Sequence, residues 1–96
     1  AKVGLVSLTR SIAIEEAKYG ITANMVSPGD IKGEMKEMDI DSARKIVDPK
    51  TPIGRPGSGE DIARLIGFLC EEDSDLITGS VVSAAGGLQV TNKYDD

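Results

Sequence analysis

The sequence predicts an α/β fold in which helices alternate with short buried strands, and three observations carry that expectation. A Pro-free amphipathic run over residues 2–19 stops at Gly20 and leads directly into the β-branched stretch 21–27. From Ser58 a second amphipathic run places Ile62, Leu65, Ile66 and Leu69 at i, i+3, i+4 and i+7, the helical period. A last short apolar run, residues 80–84, ends before Gly86-Gly87. A helix, a tight Gly turn and a buried strand make half of an α/β unit.

Each element has a local justification. In the first helix Leu5, Leu8 and Ile12 form one apolar stripe and Val6, Ala13 and Ala17 another, so two faces ask for cover. Gly4, Ser7 and Ser11 are small residues that let another helix approach closely, inside one subunit or across a subunit interface. Lys18 in the last turn and Gly20 beyond it supply the stop, because Gly accepts the left-handed conformation of a helix end. Ile21, Thr22, Met25 and Val26 suit a strand, and Pro28-Gly29 closes it. Within residues 30–50, eleven of twenty-one are charged and the apolar residues are scattered, which breaks any periodic pattern. A short helix is expected over about 41–47, with Asp41 as its cap and Pro49 as its stop. An excursion that long is a functional lid or a disordered loop; Met35 and Met38 suit an adaptable apolar lining, which favours a substrate lid over 30–50. Pro52, Gly54, Pro56 and Gly57 then mark turns. Ser58 with Asp61 three residues later forms an approximate capping box for a helix running to about Cys70. Glu71, Glu72 and Asp73 place negative charge at its negative end and mark the exit to solvent.

Composition narrows the function classes. Ninety-six residues, 40% hydrophobic and 28% charged, provide one domain at most with one modest core. Phe68, Tyr19 and Tyr94 are the only aromatics, so the core is aliphatic, marginal alone, and expected to lean on further protein. A net charge of −5 with no basic stripe argues against nucleic acid. One cysteine, Cys70, and no histidine leave no internal disulfide and no Cys/His zinc constellation, which fits a reducing cytoplasmic compartment and no metal. Cys70 reads as a small buried hydrophobe, and Asn24, polar within an apolar strand, as a paired structural amide. No apolar run reaches the ~20 residues that cross a bilayer, so no membrane partner is expected. The start, Ala1-Lys2-Val3-Gly4, has neither a signal-peptide layout nor an initiator Met, and suggests a chain cut from something longer.

Two blocks of residues carry a family resemblance. Lys2-Val3-Gly4-Leu5, Leu8-Thr9-Arg10-Ser11, Ala13, Gly20-Ile21-Thr22, Asn24, Val26, Pro28-Gly29 and Ile31 resemble the segment that follows the active-site Tyr of short-chain dehydrogenases/reductases. Ile53-Gly54-Arg55-Pro56-Gly57, Glu60-Asp61-Ile62-Ala63, Phe68-Leu69 and Ile77-Thr78-Gly79 resemble that family's second signature in order and spacing, and Gly86-Gly87 the close of its last strand. Within the family the wording is most similar to bacterial 3-oxoacyl-acyl-carrier-protein reductases. The resemblance implies the C-terminal part of a doubly wound Rossmann-type parallel sheet, in the order helix, strand, lid, helix, strand. The whole of residues 1–96 would then be the C-terminal segment of a single NAD(P)-binding domain, with the Gly-rich phosphate loop, the active-site Asn and the catalytic Ser upstream.

The same resemblance implies site residues. Lys2 matches the lysine of the family's Tyr-x-x-x-Lys pair, which makes it the catalytic candidate and a cofactor-binding one, since the family's lysine also hydrogen-bonds the nicotinamide ribose. Its Tyr would stand four positions earlier, before Ala1. A phenol titrates near pH ~10, and a lysine one helical turn away favours its anion and so its proton exchange with a carbonyl oxygen. Pro28, Gly29 and Ile31 are the other cofactor-binding candidates. Ligands of open α/β sheets sit beyond the carboxyl ends of strands, Gly lets backbone approach closely, and Pro stiffens the turn. In the family, backbone near Ile31 meets the nicotinamide carboxamide. Gly33 stands where the family usually has Thr, and Ala85 where it commonly has Asp.

Two functions follow. The first is the C-terminal portion of an NAD(P)(H)-dependent oxidoreductase that moves hydride between nicotinamide and a carbonyl or secondary alcohol, 3-oxoacyl-carrier-protein reductase-like, the 96 residues alone being inactive. The second is a non-catalytic truncated product that serves as a binding or oligomerisation module. Either implies a homo-oligomer, dimer or tetramer, because the resemblance places the helix of residues 2–19, and that of 60–70 with the last strand, on two-fold axes.

Overall fold

The computed structural model describes residues 2–29 and 31–87, with the side chain of Lys2 outside that set. In chain order they form α1 (Lys2–Glu16), β1 (Met25–Pro28), α2 (Ile40–Ala43), α3 (Gly59–Leu69) and β2 (Val81–Ala84), with single 3-10 turns at Ala17–Tyr19, Gly33–Met35 and Glu72–Ser74. β1 and β2 pair in one two-stranded sheet. Met25 N–H donates to the Ser80 carbonyl at 2.9 Å and Gly29 N–H to the Ala84 carbonyl at 3.2 Å. Both partners advance by four residues, so the strands run parallel.

Several boundaries differ from the sequence reading. α1 ends at Glu16 and tightens into the 3-10 turn, whose last donor is Gly20 at φ 75°, the left-handed conformation expected there. β1 is shorter than 21–27 and takes in Pro28, which costs no ladder bond because the N–H groups that reach β2 are those of alternate residues such as Met25 and Gly29, and the nitrogen of Pro28 faces away from it. The helix expected over 41–47 covers Ile40–Ala43, and its cap is Asp39 rather than Asp41. Asp39 Oδ2 accepts from Ser42 N–H at 3.2 Å and Oδ1 from the Ser42 hydroxyl at 2.6 Å. Those bonds from Ser42 lower the Asp39 pKa.

The described residues fall into two compact units. In the unit of residues 2–26 and 66–82, Asn24 is the stitch. Its Nδ2 donates to the Ile77 carbonyl at 3.0 Å and its Oδ1 accepts from Ser80 N–H at 3.1 Å, so both ends of the amide are paired, as expected. Thr78 Oγ1 takes the Ala23 N–H, and Gly79 N–H reaches the Ala23 carbonyl at 2.7 Å. At φ 73°, Gly79 lies where a Cβ would stand 3.6 Å from the Ala13 methyl. Ala13 is the buried residue of α1, whereas Leu5 and Leu8 remain half exposed and Val3 and Ile14 about four-fifths exposed. Of the two expected stripes, Leu5, Leu8 and Ile12 are all exposed, while in the other Ala13 is buried, Val6 partly buried and Ala17 exposed. Cys70, expected to be buried, is exposed just past the end of α3. The other unit, residues 27–65 and 83–87, buries Ile40, Ala43 and Ser58.

Candidate functional site

The unit of residues 27–65 and 83–87 holds a cavity of about 420 Å³. Gly29 and Ile31 both line it, directly after the carboxyl end of β1, where α/β sheets present their ligands. Pro28 ends β1 with its ring exposed and is not part of the lining. Lys2 opens α1 in the other unit, and its side chain lies outside the described residues. Asp30, between two of these candidates, is likewise outside them.

Gly29 has a specific steric reason. A Cβ there would stand 2.8 Å from the Ala85 Cβ and 3.0 Å from its Cα, so the two strand exits touch through a missing side chain. Gly86, at φ 62°, is constrained in the same way by Ile53, whose Cγ2 would lie 2.7 Å from an added Cβ. Ile53 N–H donates to the Gly86 carbonyl at 3.1 Å, which fastens the turn of residues 51–57 to the end of β2. Thr51 organises that turn: its hydroxyl lies 3.0 Å from the Arg55 carbonyl, and its carbonyl accepts from Gly54 N–H at 3.0 Å. Gly54, at φ 84°, makes the reversal possible.

An ion pair braces the same wall. Arg55 Nη2 and Nη1 donate to Asp61 Oδ1 and Oδ2 at 2.8 and 3.0 Å, a bidentate fork with side chains 20% and 24% exposed. Asp61 Oδ2 also accepts from Ser58 N–H at 2.8 Å and from its hydroxyl at 2.9 Å, while Asp61 N–H lies 3.2 Å from Ser58 Oγ. This is the expected capping box, extended by a guanidinium. Arg55 beside it holds the Asp61 carboxyl well below the usual carboxylate range, with the Ser58 bonds adding to the effect and partial burial opposing it. The carboxylate in turn raises the Arg55 pKa. Both side chains line the cavity, yet each is committed to the other, so their work is to hold its shape.

Residues 31–50 contribute one wall, with Ile31, Met35, Ile46 and Val47 as its apolar part and Lys32 and Lys50 as cations. Pro56 and Ile62 also line it, with Ala84 at the end of β2. The sequence reading singled out Met38 with Met35, but only Met35 reaches the cavity. It missed Lys50, Thr51 and Ala84, which no local motif marks. The Arg55–Asp61 pair was legible in principle, as opposite charges on either side of a Pro-Gly turn. Among the described residues no cluster of metal-ligating side chains occurs, and no helix is long and apolar enough to cross a membrane.

The sequence pattern of a family described as enoyl-(acyl carrier protein) reductase matches residues 1–89. The chain is 69% identical over 94 residues to YtkK of Bacillus subtilis (strain 168), a protein named as an oxidoreductase, covering 97% of this chain and 37% of that one. It is 40% identical over 88 residues to the 3-oxoacyl-[acyl-carrier-protein] reductase of Rickettsia bellii (strain RML369-C), with 92% and 36% covered. A solved structure of a Bacillus thuringiensis protein assigned as a 3-oxoacyl-reductase superposes with a TM-score of 0.80 at 64% identity, over 90% of this chain and 33% of that one. The chain thus spans little more than a third of the length of the curated relatives it matches. With the pattern matched across nearly all its residues and parallel α/β elements that superpose on a relative, the chain belongs to the short-chain dehydrogenase/reductase family and carries part of its Rossmann-type fold.

Proposed function

We propose that this chain is the C-terminal portion of an NAD(P)(H)-dependent carbonyl reductase of 3-oxoacyl thioesters, within one nicotinamide-binding domain. The observation that supports the reading most is the cavity beyond β1, with Gly29 and Ile31 on its lining. Its volume lies within the ~300–1,000 Å³ usual for small-molecule sites, and its apolar residues suit the face of a flat ring. The described residues thus fit the nicotinamide end of the cofactor; the phosphate-binding loop and the residues that choose NADH or NADPH belong to sequence upstream.

When bound, the nicotinamide supplies the hydride that reduces the carbonyl carbon. In this chain, backbone at Gly29 and Ile31 would face the carboxamide end of the ring, with Pro28 keeping the strand exit rigid. Lys2 would hold the nicotinamide ribose and favour the anion of a tyrosine one turn upstream, the group that passes a proton to the substrate oxygen. Residues 30–50 would act as the lid that shapes the substrate site and keeps water out. The half-exposed stripe of Leu5 and Leu8 favours cover by further protein, as in a homo-oligomer, and a soluble cytoplasmic enzyme accords with the acidic composition.

Purified complete protein should oxidise NADPH or NADH in the presence of a 3-oxoacyl thioester. Absence of oxidation with either cofactor and with both 3-oxoacyl thioesters and simple ketones would refute the reading.

A further inference from the structure

The lid assigned above is not a free loop, because its middle is fastened to the first turn of α3. Ile40, the first residue of α2, has no partner for its N–H within that four-residue helix. Glu60 Oε1 takes this N–H at 2.7 Å, across twenty residues of sequence. Ile40 is 6% exposed and Ala43 fully buried, so the bond lies beside a docked apolar contact. A second contact stands next to it: a Cβ on Gly59 would overlap the Lys36 carbonyl oxygen, so backbone meets backbone there. The post is rigid, since Ser58, Asp61 and Arg55 lock the same turn. On either side of the fastening, the segment supplies Ile31, Met35, Ile46 and Val47 to the cavity wall, while α3 supplies Ile62 to another part of it.

We propose that Glu60 is a positioning residue that latches the substrate lid to α3 and thereby sets the width of the substrate cavity; this rests on the reductase reading. Glu60 touches neither the reacting atoms nor the cavity. Without its carboxylate, the Ile40 N–H loses its partner in a partly buried setting and the wall loses its anchor. A glutamine retains an acceptor oxygen at the same reach and preserves the latch.

The test uses the complete protein with Glu60→Ala, Glu60→Gln and, as a control, Arg64→Ala, which removes only the exposed cation 3.7 Å from the other carboxylate oxygen. Amide exchange over residues 36–44 is read by mass spectrometry, and steady-state kinetics with a 3-oxoacyl thioester are measured in parallel. Glu60→Ala is expected to speed exchange there by about ten-fold and raise KM several-fold with kcat nearly unchanged. Glu60→Gln and Arg64→Ala should match the wild type. If Glu60→Ala fails to fold, Glu60→Asp, which withdraws the carboxylate by one methylene, should shift exchange in the same direction. Unchanged exchange in an active Glu60→Ala or Glu60→Asp protein, or a fall in kcat with KM unmoved, overturns the latch. So does a Glu60→Gln protein as loose as Glu60→Ala. A wild-type protein inactive with every carbonyl substrate overturns the reductase reading instead, while the exchange measurement still decides whether Glu60 holds the segment.

Discussion

Replacing Asp61 by Asn separates the two tasks of that carboxylate. The side-chain oxygen of Asn can still accept from Ser58 N–H and so retain the cap, but its amide nitrogen then faces the Arg55 guanidinium, donor against donor. The 2.8 Å bond from Arg55 Nη2 is lost, and the 3.0 Å bond from Nη1, which shares the oxygen that serves Ser58, loses its charge assistance. Charge-assisted bonds contribute roughly 1.5–3 kcal/mol each when well shielded, and side chains a fifth to a quarter exposed call for a discount toward about 1 kcal/mol each. Asp61→Asn, which forfeits one of those bonds and weakens the other, should therefore cost about 1–2 kcal/mol, and Asp61→Ala, which removes both together with the carboxylate's half of the capping box, about 3 kcal/mol. The assay is urea unfolding of the complete protein at fixed concentration, since any oligomer makes stability concentration-dependent. The pH dependence supplies a second reading. The Asp61 carboxyl titrates lower in the folded chain than in the unfolded one, so as pH falls the unfolded state takes up its proton first. The stabilisation is fully present above the ordinary carboxylate pKa of about 4 and is lost as pH drops below it toward the folded value. Asp61→Asn should flatten that acid limb. An Asn variant within about 0.5 kcal/mol of wild type, with the acid limb intact, would refute the assignment of the Arg55 fork as a brace of the cavity wall.

Other expected outcomes test the site directly. Gly29→Ala puts a methyl 2.8 Å from that of Ala85, so it should cost about 1–3 kcal/mol and weaken cofactor binding, with partial recovery in the double variant Gly29→Ala, Ala85→Gly, read by thermal shift and KM for NAD(P)H. Gly33→Thr should fold normally, because a Cβ at Gly33 meets nothing within 4 Å, and should lower KM for the cofactor if the hydroxyl usual in the family supplies a contact here. Lys2→Ala in the complete protein should reduce kcat by about 10²-fold or more with an unchanged circular dichroism spectrum; near-normal turnover would remove Lys2 from the chemistry.

How far the sequence could be read depended on how local the cause was. The capping box of Ser58 and Asp61 needs only a spacing of three and a hydroxyl beside a carboxylate, and both are visible in the chain itself. The cap of α2 is ambiguous in the sequence because Asp39 and Asp41, two residues apart, are the same capping residue type; only the backbone path, extended at Asp39, decides between them. The stripe of Leu5, Leu8 and Ile12 was legible as apolar, but its exposure was not, since exposure depends on what other protein lies against it. Cys70 differs for a related reason: its N–H still bonds the Ile66 carbonyl at 3.1 Å, and whether its side chain is covered depends on what lies against the end of α3.

By itself the sequence determined the alternation of helix and strand, the stops at Gly20 and Pro28-Gly29, the cap of α3 and the family. These follow from period, φ preference and short-range hydrogen bonding, which a side chain carries wherever it is placed. Only the tertiary structure decided that Gly29 must yield to Ala85, that Gly59 must yield to Lys36, and that Glu60 supplies the partner of a helix twenty residues away. A glycine or a carboxylate acquires such a role from the backbone that happens to face it, and that backbone lies far off in the chain.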